Sequence, residues 1–129
     1  MKSVDANILL RLLLEDDEAQ LVIARRVLTG PCLILPTVLL EVVWTAHRQF
    51  GRTRTNIAAQ LTELMKLAHL RFVEEQAVAW AISRYAKGAD FGDMLHVALS
   101  GEADCFATFD IGIAKFADES VVPVEALSA

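Results

Sequence analysis

The sequence predicts an α/β protein in which a parallel sheet of short strands is covered by helices on both faces. Three observations carry that expectation. Short apolar runs such as PCLILP and CFATF alternate with segments whose apolar residues recur at helical spacing, and this alternation implies βαβ units. The chain has 129 residues, enough to bury one core and too few for two, so residues 1–129 are expected to form a single domain. Apolar residues make up 54% and charged residues 22%, which marks a globular chain and sets aside a disordered or fibrous one.

The elements follow in order. A short strand is expected over 2–4, after which Asp5-Ala6-Asn7 leads into ILLRLLL, where Leu9, Leu10, Leu13 and Leu14 fall on one helical face. A second helix begins near Asp16 or Asp17, where an acid suits the positive end of the helix dipole, and stops at Thr29-Gly30. Residues 31–35 read as a buried strand. Pro36-Thr37 opens a helix, proline being tolerated in a first turn, and Phe50-Gly51 ends it. A helix over 55–69, a strand over 71–73 and a helix over 76–86 follow. Asp90 caps a further helix that reaches Ser100. The run 105–109 is a strand ending at Asp110, and 121–124 is the last strand. In open parallel sheets ligands bind beyond the carboxyl ends of the strands, and Asp5 and Asp110 both fall where a strand stops.

Charge and composition exclude several function classes. Twelve basic and 17 acidic residues leave a net charge of −5, so delocalised nucleic-acid binding through bulk positive charge is not expected. No apolar run is long enough to span a bilayer, and MKSVDAN lacks the apolar core of a secretory signal, so a cytoplasmic location is expected. Cys32 and Cys105 each sit in an apolar strand-like run and read as free buried thiols.

Most acids have simple explanations as solvated residues at element ends, among them Glu15 to Glu18, Glu74-Glu75, Asp118-Glu119 and Glu125. Four do not. Glu41 interrupts LILPTVLLEVVW, Asp93 lies within FGDMLHVAL, and Asp5 and Asp110 close apolar strands. Burying an uncompensated carboxylate costs several kcal/mol, and the neighbouring apolar positions offer no lysine or arginine. A hard divalent cation, Mg²⁺ or Mn²⁺, is the economical partner, since it prefers oxygen donors and completes its shell with water and phosphate. Helix capping competes with this reading for Asp5 and Asp110, and Asp93 could be a first-turn acid behind Asp90 as the cap. Asp90 and Asp93 share a helix face, so either could reach a metal.

Other chemistry finds less support. His96 follows Asp93 on a similar face and could ligate or transfer a proton, although a packed helix histidine is the simpler account. His47 and His69 read as surface residues, and Trp44 and Trp80 as residues that pack in the core or in a dimer. The serines lack acid–histidine company, and no glycine-rich phosphate loop is present. Arg48, Arg52 and Arg54 form a basic cluster after the Glu41 helix, and Arg11 lies beyond the Asp5 turn; all four are candidates for contact with an RNA backbone.

The motifs VDANILLRLLL, PTVLLEVVW, ADFGDMLHVAL and CFATFD occur in an order and spacing that resembles the PIN domains, and within them the VapC-type toxins of type II toxin–antitoxin pairs. The resemblance covers nearly the whole chain. It implies a PIN-like three-layer α/β/α sandwich with a central parallel sheet of about five short strands. It also implies a Mg²⁺- or Mn²⁺-dependent endoribonuclease with one or two ions held by Asp5, Glu41, Asp93 and Asp110. Asn7 and Thr108 match accessory polar positions, and Asp90 is a cap or outer ligand. Asp118 is a further late acid that could approach the site. A cognate antitoxin is the implied protein partner, and no membrane is involved. A homodimer is expected on separate grounds, because helices such as 38–46 and 57–70 carry broader apolar faces than so small a chain can bury internally. A haloacid-dehalogenase-like phosphatase is disfavoured because Asn7 stands where its second aspartate belongs. A phospho-receiver domain is disfavoured because the adjacent acids and the strand-end lysine are missing. The competing reading from another class is a catalytically silent PIN-like module that binds a protein.

Overall fold

The computed structural model describes residues 1–129 and has a mixed α/β fold in which every strand pairing is parallel. The chain divides into two compact units, Met1–Glu75 and Gln76–Ala129.

In the first unit the order is β1 (Lys2–Ser3), α1 (Ala6–Leu14), α2 (Glu18–Leu28), β2 (Cys32–Ile34), α3 (Pro36–Arg48), α4 (Arg54–Met65) and β3 (Leu70–Phe72). The strands form one sheet in the order β1-β2-β3, with Ser3 beside Leu33 and Leu33 beside Arg71. Each parallel step needs a long crossover, and the helical pairs α1–α2 and α3–α4 supply them. Leu9, Leu10, Leu13 and Leu14 are all buried, and α1 packs on both α2 and α3. Each such leucine contributes about 1.5–3 kcal/mol of transfer free energy. The buried Cys32 thiol donates to the Val27 and Gly30 carbonyls, as a structural thiol does. Helix starts are capped as the sequence leads one to expect: the Asp17 side chain accepts from Gln20 N, and Pro36 opens α3.

The second unit holds α5 (Glu75–Ala86, its first residue in the first unit), α6 (Phe91–Ala98), β4 (Phe106–Thr108), α7 (Ile111–Phe116) and β5 (Val124–Ala126). Strands β4 and β5 pair in parallel, Phe106 beside Val124. Three expectations are corrected here. Helix α7 was not foreseen, because six residues carrying a glycine show no helical periodicity. The last strand is Val124–Ala126 rather than 121–124. Pro123 has no N–H to give a ladder, and its carbonyl instead accepts from Phe106 N at 2.8 Å, so pairing starts after it. Cys105 is partly exposed rather than buried; its thiol donates to Glu125 Oε2 at 3.4 Å, which holds its pKa above the ordinary value. No helix is long and apolar enough to cross a membrane.

Candidate acidic metal-binding site

The premise that the four acids are buried does not survive. Asp5, Glu41 and Asp110 are exposed, and Asp93 is half-buried. Helix α3 explains the error at Glu41. Leu39, Val42, Val43 and Ala46 turn inward, whereas Thr37, Glu41, Trp44 and Arg48 fall three or four residues apart on one exposed stripe. An apolar stretch in one dimension thus becomes an apolar face and a solvent face. Trp44, expected to pack in the core or in a dimer, is 55% exposed and so lies outside the core.

Three of the acids sit at helix starts. Asp5 caps α1, its Oδ1 accepting from Asn7 N at 3.1 Å and Ile8 N at 3.3 Å. Asn7 therefore serves Asp5 through its main chain. Asp90 caps α6 by accepting from Asp93 N at 2.8 Å, so Asp93 is the first-turn acid behind that cap. Asp110 caps α7 by accepting from Gly112 N at 2.8 Å, and its own N–H donates to Thr108 Oγ1 at 3.0 Å. Thr108 thus holds the turn that carries Asp110 through this one bond.

In the second unit the acids are brought within electrostatic range of one another. Partial burial is the main cause that raises the Asp93 pKa above the usual carboxylate value; the negative charges of Asp90 and Asp110 add to it, and only the His96 imidazole opposes them. Helices α6 and α7 pack together, which accounts for the Asp93–Asp110 coupling. Asp5 and Glu41 belong to the first unit, on helices α1 and α3, which also pack together. No three His, Cys, Asp or Glu side chains gather closely enough to cage an ion. The donor chemistry nevertheless suits a hard divalent cation, because Mg²⁺ uses one or two carboxylates and takes waters and phosphate oxygens for the rest.

The basic candidates divide. Arg11 pairs with Asp16 at 3.0 Å, and Arg52 donates to the Leu14 carbonyl at 3.0 Å, closing the end of α1, so each has a partner within the fold. Arg54 is half-buried, and Arg48 is exposed. Asp118 is held by Arg84 Nη2 at 3.3 Å, which gives that late acid a structural role. Arg84 was missed entirely. It is 5% exposed, donates to the Asp118 carbonyl at 2.7 Å and lies over the Trp80 ring at 5.2 Å. Its position inside WAISRYA was the available signal. Gly112 was also missed: a Cβ there would come within 2.9 Å of Asp110 Oδ1, and nothing in the sequence marks that requirement.

Comparison with known proteins adds one positive result. No curated protein and no solved structure shows a significant match. The PIN domain family matches residues 3–119, which spans Asp5, Glu41, Asp93 and Asp110 and nearly the whole chain. With that coverage, and with a mixed α/β fold of parallel strands beneath it, the chain belongs to the PIN domain family.

Proposed function

We propose that the protein is an endoribonuclease that hydrolyses RNA phosphodiester bonds with one or two Mg²⁺ or Mn²⁺ ions, served by the carboxylates of Asp5, Glu41, Asp93 and Asp110. The observation that carries this reading is the placement of Asp93: it is half-buried, it sits directly behind the Asp90 cap on a helix packed against the one that Asp110 opens, and burial first, then those two negative charges, raise its pKa. No lysine or arginine answers these charges, and a divalent cation would. Membership in the PIN domain family points to nuclease chemistry as the reaction class.

A bound ion would supply a water of lowered pKa and would neutralise charge on the scissile phosphate. The chain's own residues do the rest. Asp93 and Asp110 offer hard oxygen donors, while Asp90 and Thr108 fix the backbone that carries them. Asp5 and Glu41 contribute the remaining carboxylates, and one member of the set accepts the proton of the attacking water. Within this reading the protein is a cytoplasmic VapC-type toxin with a cognate antitoxin, and it forms a homodimer. The exposed Val22 and Ile23 of α2 support an apolar protein contact of that kind.

RNA cleavage is expected in Mn²⁺ and is expected to stop in excess EDTA. Undiminished cleavage in chelator refutes metal dependence. Absence of both cleavage and Mn²⁺ binding leaves the protein-binding module as the answer.

A further inference from the structure

Helix α3 presents one continuous exposed stripe, and its residues are chemically unlike an ordinary solvated face. Glu41, Trp44 and Arg48 follow one another at i, i+3 and i+7, so all three project from the same side. At 1.5 Å of rise per residue they span about 10 Å along the axis. That length matches about three nucleotide steps at roughly 3.4 Å each. Trp44 leaves more than half of its surface in water, although burying such a side chain is strongly favourable. Arg48 lies in the last turn, where the helix dipole favours positive charge, and no ion pair engages it.

We infer that this stripe is the face that grips the RNA, with the Trp44 indole stacking on a base and the Arg48 guanidinium contacting a phosphate one turn further on. The inference rests on the ribonuclease reading and extends it to two contacts outside the acid set. RNA is the occupant the stripe itself favours. An aromatic face accepts any base without sequence preference, and a guanidinium is the natural phosphate partner. Both stand on the helix that carries Glu41, one of the proposed metal carboxylates. The chain's net charge of −5 also makes such a local cation necessary for holding a polyanion.

The test is direct because the chain has two tryptophans. In a Trp80→Phe variant Trp44 is the sole indole, and its emission is followed while a single-stranded ten-nucleotide RNA is titrated in EDTA. Saturable quenching is expected whether or not the protein cuts RNA, so a failure of the nuclease reading would appear separately, as binding without cleavage in Mn²⁺. Trp44→Leu should weaken binding about 5- to 150-fold, the equivalent of about 1–3 kcal/mol per stacked base, and Trp44→Phe should keep most of the affinity. Arg48→Gln should lower the salt slope of binding by about 1. If Trp80→Phe folds poorly, the difference between wild type and Trp44→Phe isolates the same emission. Unquenched Trp44 with RNA bound overturns the inference. So does an emission that changes with protein concentration and ignores RNA, which would mean that a second copy covers the stripe, or an absence of RNA binding.

Discussion

Replacing Asp93 by asparagine separates a catalytic carboxylate from a structural one, because a capping or ion-paired carboxylate loses stability on substitution, whereas a carboxylate that serves an ion leaves metal-free stability nearly unchanged. The raised pKa of Asp93 means that the folded state binds its proton more tightly than the unfolded chain does. This contribution to stability is fully present below the unfolded pKa of about 3.9 and is lost as pH rises through the folded value. At pH 7 without metal, the ionised Asp93 is therefore a liability that asparagine removes. Asparagine removes the cost of partly burying a charge and, with it, the like-charge repulsion from Asp90 and Asp110, about 0.2–0.5 kcal/mol for each exposed neighbour. Against it stands the lost attraction of a first-turn acid to the helix dipole, about 0.3–1 kcal/mol. The net is within about 1 kcal/mol of zero, so Tm in EDTA should stay within about 3–5 °C of wild type. The hydrogen bond from the residue-93 amide to Asp90 survives the change. Asp90→Ala is the contrast: it removes the cap of α6, costs about 0.5–2 kcal/mol and should lower Tm visibly. Cleavage in Mn²⁺ should fall by about a hundredfold or more in Asp93→Asn. Melting curves at pH 7 and pH 3, run beside the cleavage assay, read out both predictions. The wild-type and Asn curves should converge at pH 3, where the aspartate is neutral. An Asn variant that melts far lower at pH 7 and still cuts RNA would refute the assignment.

Two further outcomes follow from individual contacts. Gly112→Ala forces a methyl group to within 2.9 Å of Asp110 Oδ1, so the carboxylate must shift; cleavage should drop while Tm changes little, because alanine favours the helix by up to about 1 kcal/mol, and full activity would show that Asp110 has room to spare. Arg84→Met should cost about 1–3 kcal/mol in urea denaturation, since it strips the Asp118 carbonyl and carboxylate of a buried guanidinium donor; an unchanged midpoint would mean that the Trp80 indole bond to the same carbonyl at 3.3 Å suffices.

The order of elements was legible because strand and helix leave different periods, and because caps such as Asp17, Pro36 and Asp90 announce helix starts. Helix α7 escaped because six residues make too short a window for a period, and its start at Asp110 reads equally well as a strand end. The last strand was misplaced because Val121 and Val122 look like strand residues. Val122 is buried as a core residue outside any strand, and the ladder waits until Pro123 has passed. The partners of Arg11 and Arg52 were not legible, because a guanidinium shows its charge in the sequence and hides its partner, which lies five residues away in one case and 38 in the other.

The acids themselves were singled out on a premise that the structure removes, and the reason they still stand apart is physical. Capping and metal binding were set against each other as alternatives, yet the geometry makes them compatible. Asp5, Asp90 and Asp110 each use Oδ1 to accept helix N–H groups, and none of their caps draws on Oδ2. A carboxylate held in this way has its rotamer fixed by the helix start, and its second oxygen is aimed rather than wandering. The same bond that gives the local structural account therefore supplies the rigidity that an ion site needs. Glu41 has no such bond: it stands on the open stripe of α3, and its place in the set depends on the helix axis rather than on a cap. On this reasoning Asp5→Asn, which keeps an oxygen for the Asn7 and Ile8 amides and lacks the charge, should hold its Tm while losing activity. Asp5→Ala should lose both, by about 1 kcal/mol in stability.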